Sequence, residues 1–188
     1  MIYNNSSGEN MRKITDLKLE GKTVIVRVDY NVPIKGGIVT DDNRIRQSLE
    51  TINYLIEKKC KIVLLSHLGK IKTKEDLEKN TLQPVKMILE KLLDRDILFS
   101  KELKGTELEE KIKMLKRGDI ILLENTRHMD YPDKLESNCD ENLSKYWSTL
   151  GEIFIMDAFG SAHRAHASTV GIAKYLPSAA GFLVIKEI

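Results

Sequence analysis

The stretch TVIVRVDYNVP (residues 23–33), continued by RIRQSLETINYLIEKKCKIVLLSHLGK (residues 44–70), decides the fold. TVIVRV and KIVLL are short runs rich in β-branched residues and read as strands over 23–28 and 61–65. Between them Ile45, Leu49, Ile52, Leu55 and Ile56 recur at helical spacing over 44–59, with Asp42 or Asn43 placed to cap the first turn. Strand, helix and strand in this order make a βαβ unit, whose two strands lie parallel beneath a covering helix.

The alternation runs on through the chain. Further strands are expected at 97–99, 119–123 and 152–156, and further helices at 81–93, 106–115, 142–150 and 170–176, with Pro84 tolerated in an opening turn. The polar segment 130–141 holds Pro132, shows no period and reads as an exposed loop. We therefore expect an α/β fold: a three-layer αβα, Rossmann-like parallel sheet of about six strands, five of them visible as runs. Residues 1–11 read as a flexible polar tail before a single domain over 12–188, and the break at Ile188, inside an apolar run, reads as the edge of a larger protein.

Composition narrows the function classes. With 188 residues, 41% of them hydrophobic and 31% charged, the chain can bury a core and is not disordered. Thirty Lys plus Arg against 28 Asp plus Glu leave a net charge of +2, which disfavours a general nucleic-acid binder and a polybasic membrane anchor. The longest apolar runs, such as 62–65 and 120–123, fall far short of the roughly 20 residues that span a bilayer. Cys60 and Cys139 lack metal-ligand spacing and read as structural thiols; with no export signal at the start, a cytoplasmic location is expected.

In a parallel sheet, ligands bind beyond the carboxyl ends of the strands. Four such ends carry unusual polar residues: Asp29, Tyr30 and Asn31; Ser66, His67, Gly69 and Lys70; Glu124, Asn125 and Arg127; and Asp157 leading to His163, Arg164 and His166. The chain has only eight arginines, yet Arg44, Arg127 and Arg164 fall in or beside these segments, as do all four histidines. The planar guanidinium fork grips carboxylate or phosphate oxygens in two places, so a small, multiply charged anion is the expected ligand. For single residues the plainer readings are an Asx-turn at Asp29 and Asn31, surface ion pairs for Arg44 and Arg127, and a loop-satisfying His128. No glycine-rich nucleotide loop, zinc motif, calcium loop or nucleophile elbow occurs in the sequence.

The segments VIVRVDYNVP (24–33), DDNRIR (41–46), LLSHLGK (64–70), LLENTRH (122–128) and DAFGSAHRAHAST (157–169) resemble, in order and spacing, the amino-terminal lobe of phosphoglycerate kinases. The resemblance implies a substrate-binding lobe for 3-phosphoglycerate or 1,3-bisphosphoglycerate. A second, absent C-terminal lobe would hold Mg2+ with ADP or ATP, so no cofactor or metal is expected in this chain. It implies that Asp29 and Asn31, with Tyr30 between them, hold the hydroxyl and carboxylate end. Arg44 is implied as the catalytic bridge between substrate carboxylate and transferring phosphoryl group, and His67, Leu68, Gly69, Lys70, Arg127 and Arg164 would surround the existing phosphate. Lys70 and Ile71 stand where the family has Arg-Pro, His128 where it has Phe, and Met156 where it has Asn. The chain is expected to be a monomer without nucleic-acid or membrane partners, and inactive alone. The alternative is a stand-alone module that binds a phospho-carboxylate without catalysis.

Overall fold

In the computed structural model, residues 11–188 are described, and their organising feature is a six-stranded parallel sheet. In chain order the elements are β1 (Thr23–Arg27), β2 (Ile34–Lys35), β3 (Ile38–Val39), α1 (Asn43–Gln47), α2 (Leu49–Glu57), β4 (Lys61–Leu65), α3 (Lys74–Lys79), α4 (Gln83–Leu93), β5 (Leu98–Ser100), α5 (Thr106–Lys113), β6 (Ile120–Leu123), α6 (Glu141–Ser148), β7 (Ile153–Met156), β8 (Ser178–Ala180) and α7 (Phe182–Glu187). The sheet order is β5-β6-β4-β1-β7-β8, with β2 and β3 forming a separate small hairpin.

Alternation along the strands divides the core between the two faces. Val24, Val26, Ile62, Leu64, Ile120, Leu122 and Ile155 face one side, where they meet Ile45, Ile52, Leu55, Val85 and Leu89 of α1, α2 and α4. Ile25, Val63, Leu65, Ile121, Leu123 and Phe154 face the other, against Leu108 of α5 and Leu143 and Trp147 of α6. The Trp147 indole donates to the Leu103 carbonyl at 2.8 Å, so this large ring is buried without an orphaned N–H. The expected three-layer αβα sheet is present.

Several local expectations need correction. The single helix over 44–59 is broken at Ser48, whose amide and hydroxyl both turn back to the Ile45 carbonyl at 3.1 and 2.7 Å. The sixth strand, β8, is SAA, too small and too short to show a period. Helix α3 buries no residue and rests on its capping box, Thr73 with Asp76. Of the segment 130–141, residues 131–140 are turns and loop, Asp130 closes a 3-10 helix and Glu141 opens α6, and Asp130 and Glu136 are buried. Most of the expected tail, residues 1–10, lies outside the described residues, whereas Met11 packs on the second core cluster and Arg12 accepts from the Ala180 amide. Among the described residues no helix is long and apolar enough to cross a membrane.

Asp157, just past β7, is fully buried. Its Oδ1 accepts from the Leu183 amide at 3.0 Å, Oδ2 has no hydrogen-bond partner, and a Cβ on Gly181 would lie 2.3 Å from Oδ1. Burial pushes this carboxyl up from 3.8 to about 7, against the opposing pull of that amide. The folded value exceeds the unfolded one, so this contribution to stability is fully present below about pH 4 and is lost as the pH climbs through about 7. We predict that Asp157→Asn gains roughly 2–3 kcal/mol relative to wild type between about pH 5 and pH 8, read by urea unfolding. A constant difference across that range would show that the wild-type carboxyl does not titrate there.

Candidate anion-binding site

Strand β1 lies between β4 and β7, so the chain leaves its carboxyl end toward one side of the sheet and later returns on the other. The loops diverge there and open a crevice, the usual ligand position in an open parallel sheet. At this point β1 ends in Arg27, whose side chain is wholly buried.

The Arg27 guanidinium donates in three directions: Nε to Ser168 Oγ at 2.9 Å, Nη1 to the Val28 carbonyl, and Nη2 to His67 Nδ1 at 2.8 Å. Ser168 in turn donates its hydroxyl to Glu136 Oε2 at 2.6 Å and its amide to Oε1 at 2.8 Å. Burial lowers the Arg27 pKa from its usual value, and the charges of Glu136 and Asp29 oppose that shift. His67 is driven down to about 3, first by burial and then by the charges of Arg27, Arg127, His166 and Arg164. Burial also lowers His166, with Glu136 acting the other way. Among the described residues neither Arg127 nor Arg164 has a carboxylate in ion-pair contact, and the buried Arg127 Nε and Thr126 Oγ1 have no hydrogen-bond partner. A buried donor without an acceptor costs about 1–3 kcal/mol, so this wall carries unmet hydrogen-bonding capacity among the described residues.

A second group lies at the outer lip. Arg44 Nη1 bridges Asp29 Oδ1 at 3.3 Å and the Asn31 carbonyl at 2.9 Å, and its side chain stays 50% exposed. Asp29 Oδ1 also accepts from the Asn31 amide, so the Asx-turn reading holds alongside any role in binding. Asn31 Oδ1 accepts from Gly69 at 3.0 Å, which ties the loop after β1 to the loop after β4. Gly69 takes φ +60°, a left-handed conformation that suits glycine.

Beneath both groups Asn125 makes a rigid frame. Its Oδ1 accepts from Leu68 and Arg127 amides, and its Nδ2 donates to the Leu68 and Asn80 carbonyls, so its full donor capacity is used. Glu124 holds the Leu82 amide and the Thr81 hydroxyl at 2.8 and 2.7 Å.

His67, Arg127 and Arg164 thus share one electrostatic neighbourhood, and Asp29, Asn31, Arg44 and Gly69 share another beside it. Three expected site residues differ in placement. The Tyr30 ring is buried in the core with its hydroxyl on Ser48 at 2.8 Å, so only its backbone belongs to the rim. The Leu68 side chain is likewise a core residue. Lys70 is exposed, and the one hydrogen bond it makes among the described residues is through its carbonyl, to Asn80. His128 follows its plainer reading, with Nε2 on the Asn80 carbonyl at 3.0 Å, and His163 lines a separate apolar hollow with Phe159 and Ile188. Arg27, Ser168 and Glu136 were missed from sequence. A charge inside the apolar run VIVRV was the available signal for Arg27, because an ion buried in a strand requires partners.

The phosphoglycerate kinase family model matches residues 14–188. A phosphoglycerate kinase of Staphylococcus aureus is 56% identical over 175 residues, covering 93% of this chain and 44% of that protein. Among solved structures, phosphoglycerate kinase from Coxiella burnetii aligns at a TM-score of 0.81 and 38% identity, covering 93% of this chain and 42% of that one. The enzyme from Pyrococcus horikoshii aligns at 0.83 and 36%, covering 94% and 44%. The chain spans less than half the length of these relatives. With its sheet, crevice and matched length taken together, this chain belongs to the phosphoglycerate kinase family.

Proposed function

We propose that this chain is the amino-terminal, substrate-binding lobe of a phosphoglycerate kinase and holds 3-phosphoglycerate or 1,3-bisphosphoglycerate in the crevice at the end of β1. The observation that carries the reading is the surplus of unpaired cationic groups around His67: Arg127 and Arg164 lack carboxylate partners among the described residues, and Arg127 Nε is buried with nothing to donate to. A phosphate supplies the missing oxygens and charge. The glycerate end then falls to Asp29 and Asn31, with Arg44 spanning the carboxylate and the group in transit. Only Nη1 of Arg44 is engaged among the described residues, which supports a role for the rest of its fork.

In this reading a carboxylate oxygen of 3-phosphoglycerate attacks the terminal phosphoryl of ATP, and the reverse step returns it to ADP. Phosphoryl transfer depends chiefly on alignment and on neutralising charge spread over the moving group, and needs no nucleophile from the protein. Among the described residues no group of His, Cys, Asp or Glu is arranged to hold a metal ion. We assign the Mg2+-nucleotide to the part of the relatives' length outside the matched region.

Three outcomes test this. Titration with 3-phosphoglycerate should shift the amide signals of Asn31, His67 and Arg164, and Arg164→Ala should weaken binding several-fold; absence of any shift at millimolar ligand overturns the reading. Lys70→Arg should tighten binding by about 1 kcal/mol, a several-fold change, by restoring a forked donor. Equal affinities, beside a clear loss in Arg164→Ala, would take Lys70 out of the site. The chain alone should show no phosphoryl transfer from 1,3-bisphosphoglycerate to ADP, because half the alignment is missing. Turnover by the purified chain would contradict that division of labour.

A further inference from the structure

Glu136 is wholly buried although Tyr131, Pro132, Asp133 and Lys134 just before it are exposed. A carboxylate taken out of water needs compensation, and both of its oxygens are committed to Ser168. Because the Ser168 hydroxyl spends its proton on Glu136, its oxygen is left as an acceptor, and Arg27 Nε–H occupies it. Ser168 is therefore an adapter between a buried anion and a buried cation. With Nε fixed there and Nη1 on the Val28 carbonyl, the guanidinium plane is set, and one of the two Nη2 N–H groups meets His67 Nδ1.

An arginine carries donors and no acceptor, and it stays protonated in proteins. The 2.8 Å contact therefore requires an unprotonated Nδ1, with the ring proton on Nε2. Nε2 makes no hydrogen bond to another described residue. Neutral His67 then offers one N–H, of fixed identity, beside Arg127 and Arg164. The low pKa of about 3 accords with this, since a proton on Nδ1 would face the guanidinium.

We propose that Glu136, acting through Ser168 and Arg27, is a positioning residue that locks His67 as its Nε2-protonated tautomer and so presents an uncharged donor to the bound phosphate. The link to phosphate rests on the functional reading above, whereas the tautomer lock is a property of the free protein. This role separates two kinds of contact in one site. Arg127 and Arg164 supply charge, and His67 supplies direction without adding to the repulsion among the cations.

The test reads the imidazole nitrogens of His67 by long-range proton–nitrogen NMR in wild type, Glu136→Gln and Ser168→Ala, without ligand. Wild type should show the Nε2–H pattern alone, unchanged from about pH 5 to pH 8. Both variants should show a second, Nδ1–H tautomer, because Arg27 is no longer held against Nδ1. A wild-type Nδ1–H pattern, or variant spectra identical to wild type in a folded chain, overturns the proposal. If Glu136→Gln does not fold, Ser168→Ala decides, since it removes only the hydroxyl. A purely structural role would lower thermal stability in Ser168→Ala and leave the ring spectrum untouched. Affinity for 3-phosphoglycerate should also fall several-fold in Ser168→Ala. Failure of wild type to bind 3-phosphoglycerate overturns the functional reading and leaves the tautomer lock to be judged on the ring spectra.

Discussion

A guanidinium held out of water must find acceptors for its N–H groups, and the burial of Arg27 at the end of the central strand sets that demand where the sheet changes direction. The acceptors come from three separate pieces of chain: the end of β1 itself, the loop after β4, and the segment beyond β7. Each is drawn inward and fixed. The Glu136 charge balances the ion, and the backbone follows, since the Ala167 amide donates to the Glu136 carbonyl at 2.9 Å. The sheet brings these loops to one rim, but the buried ion determines how they face each other.

The site is correspondingly uneven in rigidity. Its floor, made by Arg27, His67, Asn125 and Glu136, is buried, and each is tied down: Arg27 to His67, Asn125 to the backbone of Leu68, and Glu136 to Ser168. Its lip, made by Arg44 and Arg164, is exposed, and the contact of Arg44 with Asp29 is a partly solvated ion pair worth little by itself. On the proposed function, a fixed floor holds one end of the ligand in register and a free lip leaves its other end open to a reactant from outside the crevice.

The sheet was legible because its strands alternate sides with bulky apolar residues, which composition and period expose directly. The break at Ser48 was hidden because it arises from tertiary contact: its hydroxyl joins the Tyr30 phenol, eighteen residues away in sequence. Strand β8 has only small side chains, and the pairing with β7 that makes it a strand is not written in its own residues. At the candidate site, the strand-end rule pointed to His67, Arg127 and Arg164, which share one electrostatic neighbourhood, because unusual polar types stand there in sequence. It missed Arg27, which sits one residue before the strand's end was expected to matter, and Glu136, which looked like one more acidic residue in a polar loop. A polar segment reads as exposed until something buried calls one of its members inward.

Cationic groups gathered without enough carboxylates repel each other, and this repulsion opposes folding of the free chain. Arg27 escapes through Glu136, and His67 escapes by staying neutral, which leaves Arg127 and Arg164 as charges without a carboxylate in ion-pair contact among the described residues. An anion that settles between them relieves the strain that the fold maintains, so binding and folding stability draw on the same interaction. Pairing these arginines with acids inside the protein would make a more stable chain, and would fill the crevice with the oxygens that, on the proposed function, a ligand brings.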